Sequence, residues 1–189
     1  NKYRGENEAL LGLLLWHPSV KVTPLMDFLP NGSAVLGRFG GHQFAYEKLL
    51  GKEMADYNFF YTSNISLKRS LLLKHGFDPV FSKYGWEDIE LGYRLTKQEN
   101  LKLHYNPNAV AYHLHEISEH DFRNRMSMIG KSAKIIHQRY PELGKIPPFW
   151  KKLIFRALSS KPLLSVFPKN SPIYYYAISK KYFLEGLCK

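Results

Sequence analysis

The sequence predicts an α/β fold, and three stretches predict it. A run apolar on both faces spans Ala9 to Trp16 and stops at His17-Pro18, and an amphipathic stretch covers Glu87 to Glu99. Two short β-type segments, Leu101 to Tyr105 and Ala109 to His113, precede a long helical stretch from Ser118 to Tyr140. Short apolar runs bounded by breakers fit buried strands, whereas a period of about 3.6 sustained over three or more turns fits helices.

Taken in order, Ala9 to Trp16 is expected to be a buried strand, with a helix over the same residues as the alternative. Thr23 and Pro24 mark a helix start over Thr23 to Leu29, with Thr23 as cap and proline in the first turn, ahead of the turn signal Pro30-Asn31-Gly32. Gly37 to Gly41 is expected to form a mobile loop. Tyr57 to Thr62 carries enough aromatic residues to predict a strand, and Ser66 to Lys74 predicts a helix stopped at His75-Gly76. A loop through Asp78-Pro79 and Tyr84-Gly85 leads into the helix at Glu87. Asn106-Pro107-Asn108 divides the two strands that follow, and Pro141 ends the long helix.

The character changes after Pro141. Residues 143 to 189 mix prolines, cations and large apolar side chains, so we set a domain of residues 1 to 142 against a C-terminal extension of 143 to 189. The extension is open to two readings: helices packed on the main domain, or an interfacial surface that contacts a membrane.

Composition bounds the function. A hydrophobic share of 44% and a charged share of 23% in 189 residues describe a folded chain with one sizeable core. The formal charge of +11 implies an anionic partner, either lipid or a phosphorylated substrate, or else a basic surface that aids solubility. Nucleic acid is not expected, because no binding motif is present and the aromatics cluster with prolines. The one cysteine, Cys188, leaves no internal disulfide and no cysteine-based zinc site, which suits a reducing compartment and a cytoplasmic location. No run approaches the ~20 apolar residues that cross a bilayer. The chain opens on Asn1 among polar residues, so it is expected to be cut from something longer.

The stretch with the most chemical content is Tyr84-Gly85-Trp86-Glu87-Asp88, which places two adjacent carboxylates in the first turn of a helix behind an aromatic-glycine loop. A helix N-terminus favours their ionised form, and an ionised carboxylate can take a proton from a hydroxyl. The plain alternative is that acids are common in first turns, and that Glu90 with Arg94 is an ordinary i,i+4 pair.

Set in order, Thr62-Ser-Asn64-Ile-Ser66, Phe77-Asp78, Glu87-Asp88, Glu90-Leu-Gly-Tyr-Arg94-Leu, Tyr105-Asn-Pro107 and His113-Leu-His115 resemble the second half of family-two glycosyltransferases, over roughly residues 8 to 142. The resemblance implies a partial GT-A domain, Rossmann-like with a mixed sheet, comprising the acceptor-side half and followed by a helical extension. It implies an inverting enzyme of the hexosyltransferase type that moves a sugar from a nucleotide-sugar donor to a saccharide or lipid-linked acceptor. Asp88 would be the general base, with Glu87 holding the acceptor or supporting the base. Asn64, Ser66, Gly85, Trp86 and Arg94 would bind substrate; Trp86 could stack on a sugar ring or anchor its loop, and Arg94, Arg69 and Lys68 could face diphosphate or be solvated helix charges.

The resemblance further implies a divalent metal, Mn2+ or Mg2+, with His113 as ligand and His115 as second choice, shared with a D-x-D motif. No Asp-x-Asp occurs in this chain, so the 189 residues alone are expected to be inactive. The competing reading is a non-catalytic module of the same fold that binds glycan or membrane. A transferase acting on lipid-linked glycans could also use the extension to contact the cytoplasmic leaflet.

Overall fold

A computed structural model describes residues 5–32, 45–81 and 85–189. Four strands and seven helices run in the order β1 (Glu8–Trp16), α1 (Pro24–Asn31), β2 (Met54–Ala55), β3 (Ile65–Leu67), α2 (Arg69–Lys74), α3 (Glu87–Glu99), β4 (Lys102–His113), α4 (Glu119–Arg139), α5 (Phe149–Leu158), α6 (Lys161–Val166) and α7 (Pro172–Cys188), counted among the described residues. The chain forms two compact units. The first holds the described residues of Asn1–Lys21, Phe44–Pro79 and Glu87–His115, and the second those of Val22–Gln43, Val80–Trp86 and Glu116–Lys189.

The first unit is an α/β layer around a four-stranded mixed sheet of order β2-β4-β1-β3. β1 runs parallel to β4 and antiparallel to β3, and β2 pairs antiparallel with β4. The strand expected at Ala9 to Trp16 is present as β1, an interior strand whose backbone is paired on both edges, by β4 and by β3. Ala9, Leu11 and Leu14 face a core completed by Leu103 and Tyr105 of β4, Leu91 and Leu95 of α3, and Phe60. Leu91 and Leu95 stand four apart, so one helix stripe covers the sheet. Gly92 lies beside them because a Cβ there would come 2.5 Å from the Cβ of Phe60.

The two strands expected at Leu101 to Tyr105 and Ala109 to His113 are one strand, β4. Asn106-Pro107-Asn108 does not end the strand: the register jumps from Gly12↔Asn106 to Leu13↔Val110, so residues 107 to 109 form a bulge against β1. The inward parity of β1 changes with it, from Ala9 and Leu11 to Leu14. Asn64 fills the interrupted ladder, its amide Nδ2 donating to the carbonyls of Leu13 and Ala109 at 2.9 Å each. Gly12 has to be glycine here, since a Cβ would meet Ala109 O at 2.3 Å and Asn64 Nδ2 at 2.4 Å.

Tyr57 to Thr62 is not a strand. It forms two 3-10 turns, Tyr57–Phe59 and Thr62–Asn64. Asp56 caps the first by accepting from Asn58 N at 2.7 Å, and Tyr57 packs edge-on to Tyr93 of α3 at 5.2 Å while Phe60 is fully buried. A tight turn directs these rings to a helix, which alternation along a strand would not do. The helix expected from Ser66 begins three residues later, because Ser66 pairs with Leu10 in the sheet. α1 starts as expected, with Thr23 Oγ1 accepting from Met26 N at 3.2 Å, but it carries Pro30 inside its last turn and ends at Gly32. The Gly37 to Gly41 loop lies outside the described residues.

The second unit is helical. Ser118 caps α4 with a reciprocal Asp121 capping box. Phe28 of α1 meets Phe122 of α4 at 6.4 Å and Tyr175 of α7 at 5.7 Å. α4 and α7 cross at Gly130 and Gly186, where an added Cβ would stand 2.2 Å from Phe183 O and 2.1 Å from Ser127 O. The long helix expected at Ser118 to Tyr140 thus packs in one compact unit with α7 of the 143–189 extension. Among the described residues, no helix is long and apolar enough to cross a membrane.

Candidate functional site

Glu87 and Asp88 open α3, as their position behind Gly85-Trp86 predicts. Asp88 is half-buried, and its two oxygens are held from one side by a single residue: Thr62 N–H donates to Oδ2 at 3.2 Å and Thr62 Oγ1 to Oδ1 at 2.9 Å. Burial raises the pKa of Asp88 above the ordinary carboxylate value, and the Thr62 hydroxyl and amide offset part of that rise. The helix N-terminus, by contrast, favours the charged form. The result is a carboxylate more basic than a surface aspartate, with lone pairs left on both oxygens. Glu87 is half-buried at the first position of the helix.

No local pattern in the sequence marks Thr62 as a partner of Asp88. The two are 26 residues apart, and only the 3-10 turn at Thr62–Asn64 brings the threonine to the helix start. The same turn aims Asn64 into the β1–β4 bulge, so its amide is engaged with backbone carbonyls, and Ser66 lies exposed on β3. Next to it, burial pushes the Tyr61 hydroxyl up to about 12.

Arg94 is held within the first unit. Its Nε and one terminal nitrogen reach the fully buried carboxylate of Glu90 at 2.6 and 2.9 Å, and it also donates to Gly76 O at 2.8 Å. A bidentate pair with its negative member buried fixes the guanidinium as part of the α3 packing. Lys68 lies 3.9 Å from Glu6, and Arg69 is exposed.

Gly85 and Trp86 belong to the second unit. Gly85 has φ 114° and lies against Ile129, and Trp86 follows with φ 70°, a left-handed value that costs a bulky residue on the order of 1 kcal/mol. Its indole Nε1 donates to Ile129 O at 3.0 Å, and Lys145 Nζ stands 4.8 Å above the ring. These contacts hold the strained turn in place.

His113 ends β4 with its ring 5.4 Å from Trp16 and 5.9 Å from His115. His115 lies past the strand and is exposed, so strand alternation does not set its direction. Among the described residues no three His, Cys, Asp or Glu side chains gather closely enough to hold a metal ion. His113 and His115 are the candidate ligands, and by themselves they make up only part of a ligand set.

In comparisons with known proteins, no family model, no curated protein and no solved structure matches the chain.

Proposed function

We propose that the chain is the acceptor-side, catalytic-base portion of an inverting, nucleotide-sugar-dependent glycosyltransferase of family two, with the α/β unit as part of a GT-A domain. The observation that carries the reading is Asp88: a desolvated carboxylate at a helix start, made more basic by burial and oriented by Thr62. A base of that kind is what deprotonation of a sugar hydroxyl needs. The ordered motifs from Asn64 through Asp88 to His113 add to it.

In this reading the acceptor hydroxyl gives its proton to a carboxylate oxygen of Asp88 as its oxygen bonds to the anomeric carbon. The bond from that carbon to the donor's phosphate oxygen breaks, the nucleoside diphosphate leaves, and the configuration inverts. Thr62 holds Asp88 in one orientation throughout, and Glu87 positions the acceptor. If a divalent cation is bound, His113, with His115 second, would be this chain's ligand to it, alongside a D-x-D motif that the chain does not contain, and the cation would supply charge neutralisation at the diphosphate. A cytoplasmic location, where nucleotide-sugars are made available, belongs to the same reading.

The test is Asp88→Asn in the longer protein that this reading requires. Loss of the base is expected to lower turnover by about 10² to 10⁴ while leaving donor binding intact. Retained turnover would overturn the assignment. The isolated 189-residue chain is expected to show no transfer, since it lacks the donor-binding motif.

A further inference from the structure

We propose that the α5–α6 face of the second unit seats on an anionic bilayer surface. On α5, Phe149, Trp150, Leu153 and Ile154 are 73%, 57%, 47% and 47% exposed. At about 100° per residue these four, with the exposed Ala157 among them, fall within one arc of about 140°. The opposite side is the docked one: Phe155 meets Tyr176 of α7 at 6.5 Å, and Lys180 Nζ stands 5.2 Å over the Phe155 ring. The helix therefore turns its most apolar arc away from the helices that support it. α6, which packs beside α5, also exposes Val166, at 76%, and Leu163.

Charge decides the occupant. On the helical wheel Arg156 falls about 20° before Phe149 and Lys151 about 60° beyond Ile154, past Leu158, so an exposed cation flanks each side of the apolar arc. Residues 143 to 189 hold nine Lys or Arg against one acid, Glu185. A second copy laid face to face would set these cations against each other with one carboxylate per copy to relieve them. A nucleic acid offers no apolar depth to Phe149, Leu153 and Ile154. An anionic bilayer meets both requirements: the apolar side chains enter the acyl boundary, Trp150 lies at headgroup level, and the cations reach lipid phosphates. A helix of ten residues lies in the interface and does not span it.

The full chain is tested by co-sedimentation with vesicles of phosphatidylcholine alone and of phosphatidylcholine with a quarter phosphatidylglycerol. It is expected to bind the anionic vesicles, to release as salt rises, and to bind the zwitterionic ones at least tenfold less. Each cation near an anionic surface is worth about a fivefold in partitioning, so Lys151→Ala with Arg156→Ala should weaken binding by about 25-fold. Phe149→Asp with Leu153→Asp should abolish it. Both pairs are exposed, and an unchanged circular dichroism melt separates lost binding from lost folding. Three results each overturn the proposal: no binding to anionic vesicles, equal binding by the aspartate variant, or a dimer in light scattering that the aspartate variant breaks while vesicles go unbound. No transfer activity is read, so neither outcome bears on the role of Asp88.

Discussion

Lys180 offers the most quantitative test of the helical unit. It lies on α7 with Nζ 4.5 Å from the Tyr176 ring centroid and 5.2 Å from that of Phe155, and this enclosure lowers its pKa from the ordinary 10.5 to about 8. The folded chain thus holds this proton less tightly than the unfolded chain. Below about pH 8 the ammonium is charged in both states, and the folded state carries the full cost of desolvating it. Between about 8 and 10.5 the folded chain releases the proton and the unfolded chain keeps it, so stability rises with pH. A displacement of about 2.5 at 1.36 kcal/mol per unit is about 3 kcal/mol. Lys180→Met keeps the length of the side chain and removes the charge. The variant is expected to be more stable by about 3 kcal/mol at pH 7, with the advantage shrinking through pH 9 and 10 and gone by about pH 11. Urea unfolding of both proteins at each pH, taken as a difference, cancels the tyrosine titrations they share. A gap that stays constant with pH, or that favours lysine, would show that the ammonium reaches water and that its burial costs nothing.

Other perturbations probe the first unit. Gly12→Ala forces a Cβ to within 2.3 Å of Ala109 O and 2.4 Å of Asn64 Nδ2, and is expected to cost about 3 kcal/mol and lower the melting temperature by about 10 °C; an unchanged melt means that the bulge yields. Arg94→Met leaves Glu90 buried without its cation, at a cost of about 3 to 5 kcal/mol, and adding Glu90→Met should recover most of it; simple additivity in the double variant would refute the coupling. Asp88→Asn should stabilise the fold at pH 7: a carboxyl whose pKa is raised on folding stabilises below about pH 3.8 and loses that contribution as pH rises through its folded pKa, so the gain should vanish near pH 3.5 in denaturant titrations. Thr62→Val should move the Asp88 titration further upward in carboxyl NMR, because it removes the stronger of the two bonds that favour the anion; no movement would mean that the hydroxyl is not engaged.

Elements with a one-dimensional signature were legible in the sequence. The apolar run of β1, the capped start of α1, the stripe of α3 and the box-capped α4 each obey a local rule of period or capping. The misreadings share a cause: at each, a distant partner overrode the local signal. Aromatic residues at 57 to 62 suit a strand, yet Phe60 is drawn against Gly92 and Tyr57 against Tyr93, which a turn achieves and a strand does not. Asn106-Pro107-Asn108 has the composition of a loop, yet Asn64 supplies the hydrogen bonds that the bulge takes from the ladder, so β4 continues. Ser66 continues a helical pattern only until Leu10 claims it for the sheet.

The site was legible in part for the same reason. The acids of α3 announce themselves through their place in a first turn, but what sets Asp88 apart is Thr62, and 26 residues of intervening chain hide that pairing. Asn64 and Arg94 show the reverse: residue types suited to binding a ligand are engaged with Leu13, Ala109, Glu90 and Gly76. Asp88 nevertheless carries a local cost, a carboxylate desolvated at the start of α3. Selection for stability alone would remove it, since asparagine relieves the desolvation while keeping an acceptor for Thr62. A buried charge oriented by a dedicated partner is what a chain retains where chemistry requires it, so the functional proposal rests on Asp88 and its threonine more than on the pair of acids as such.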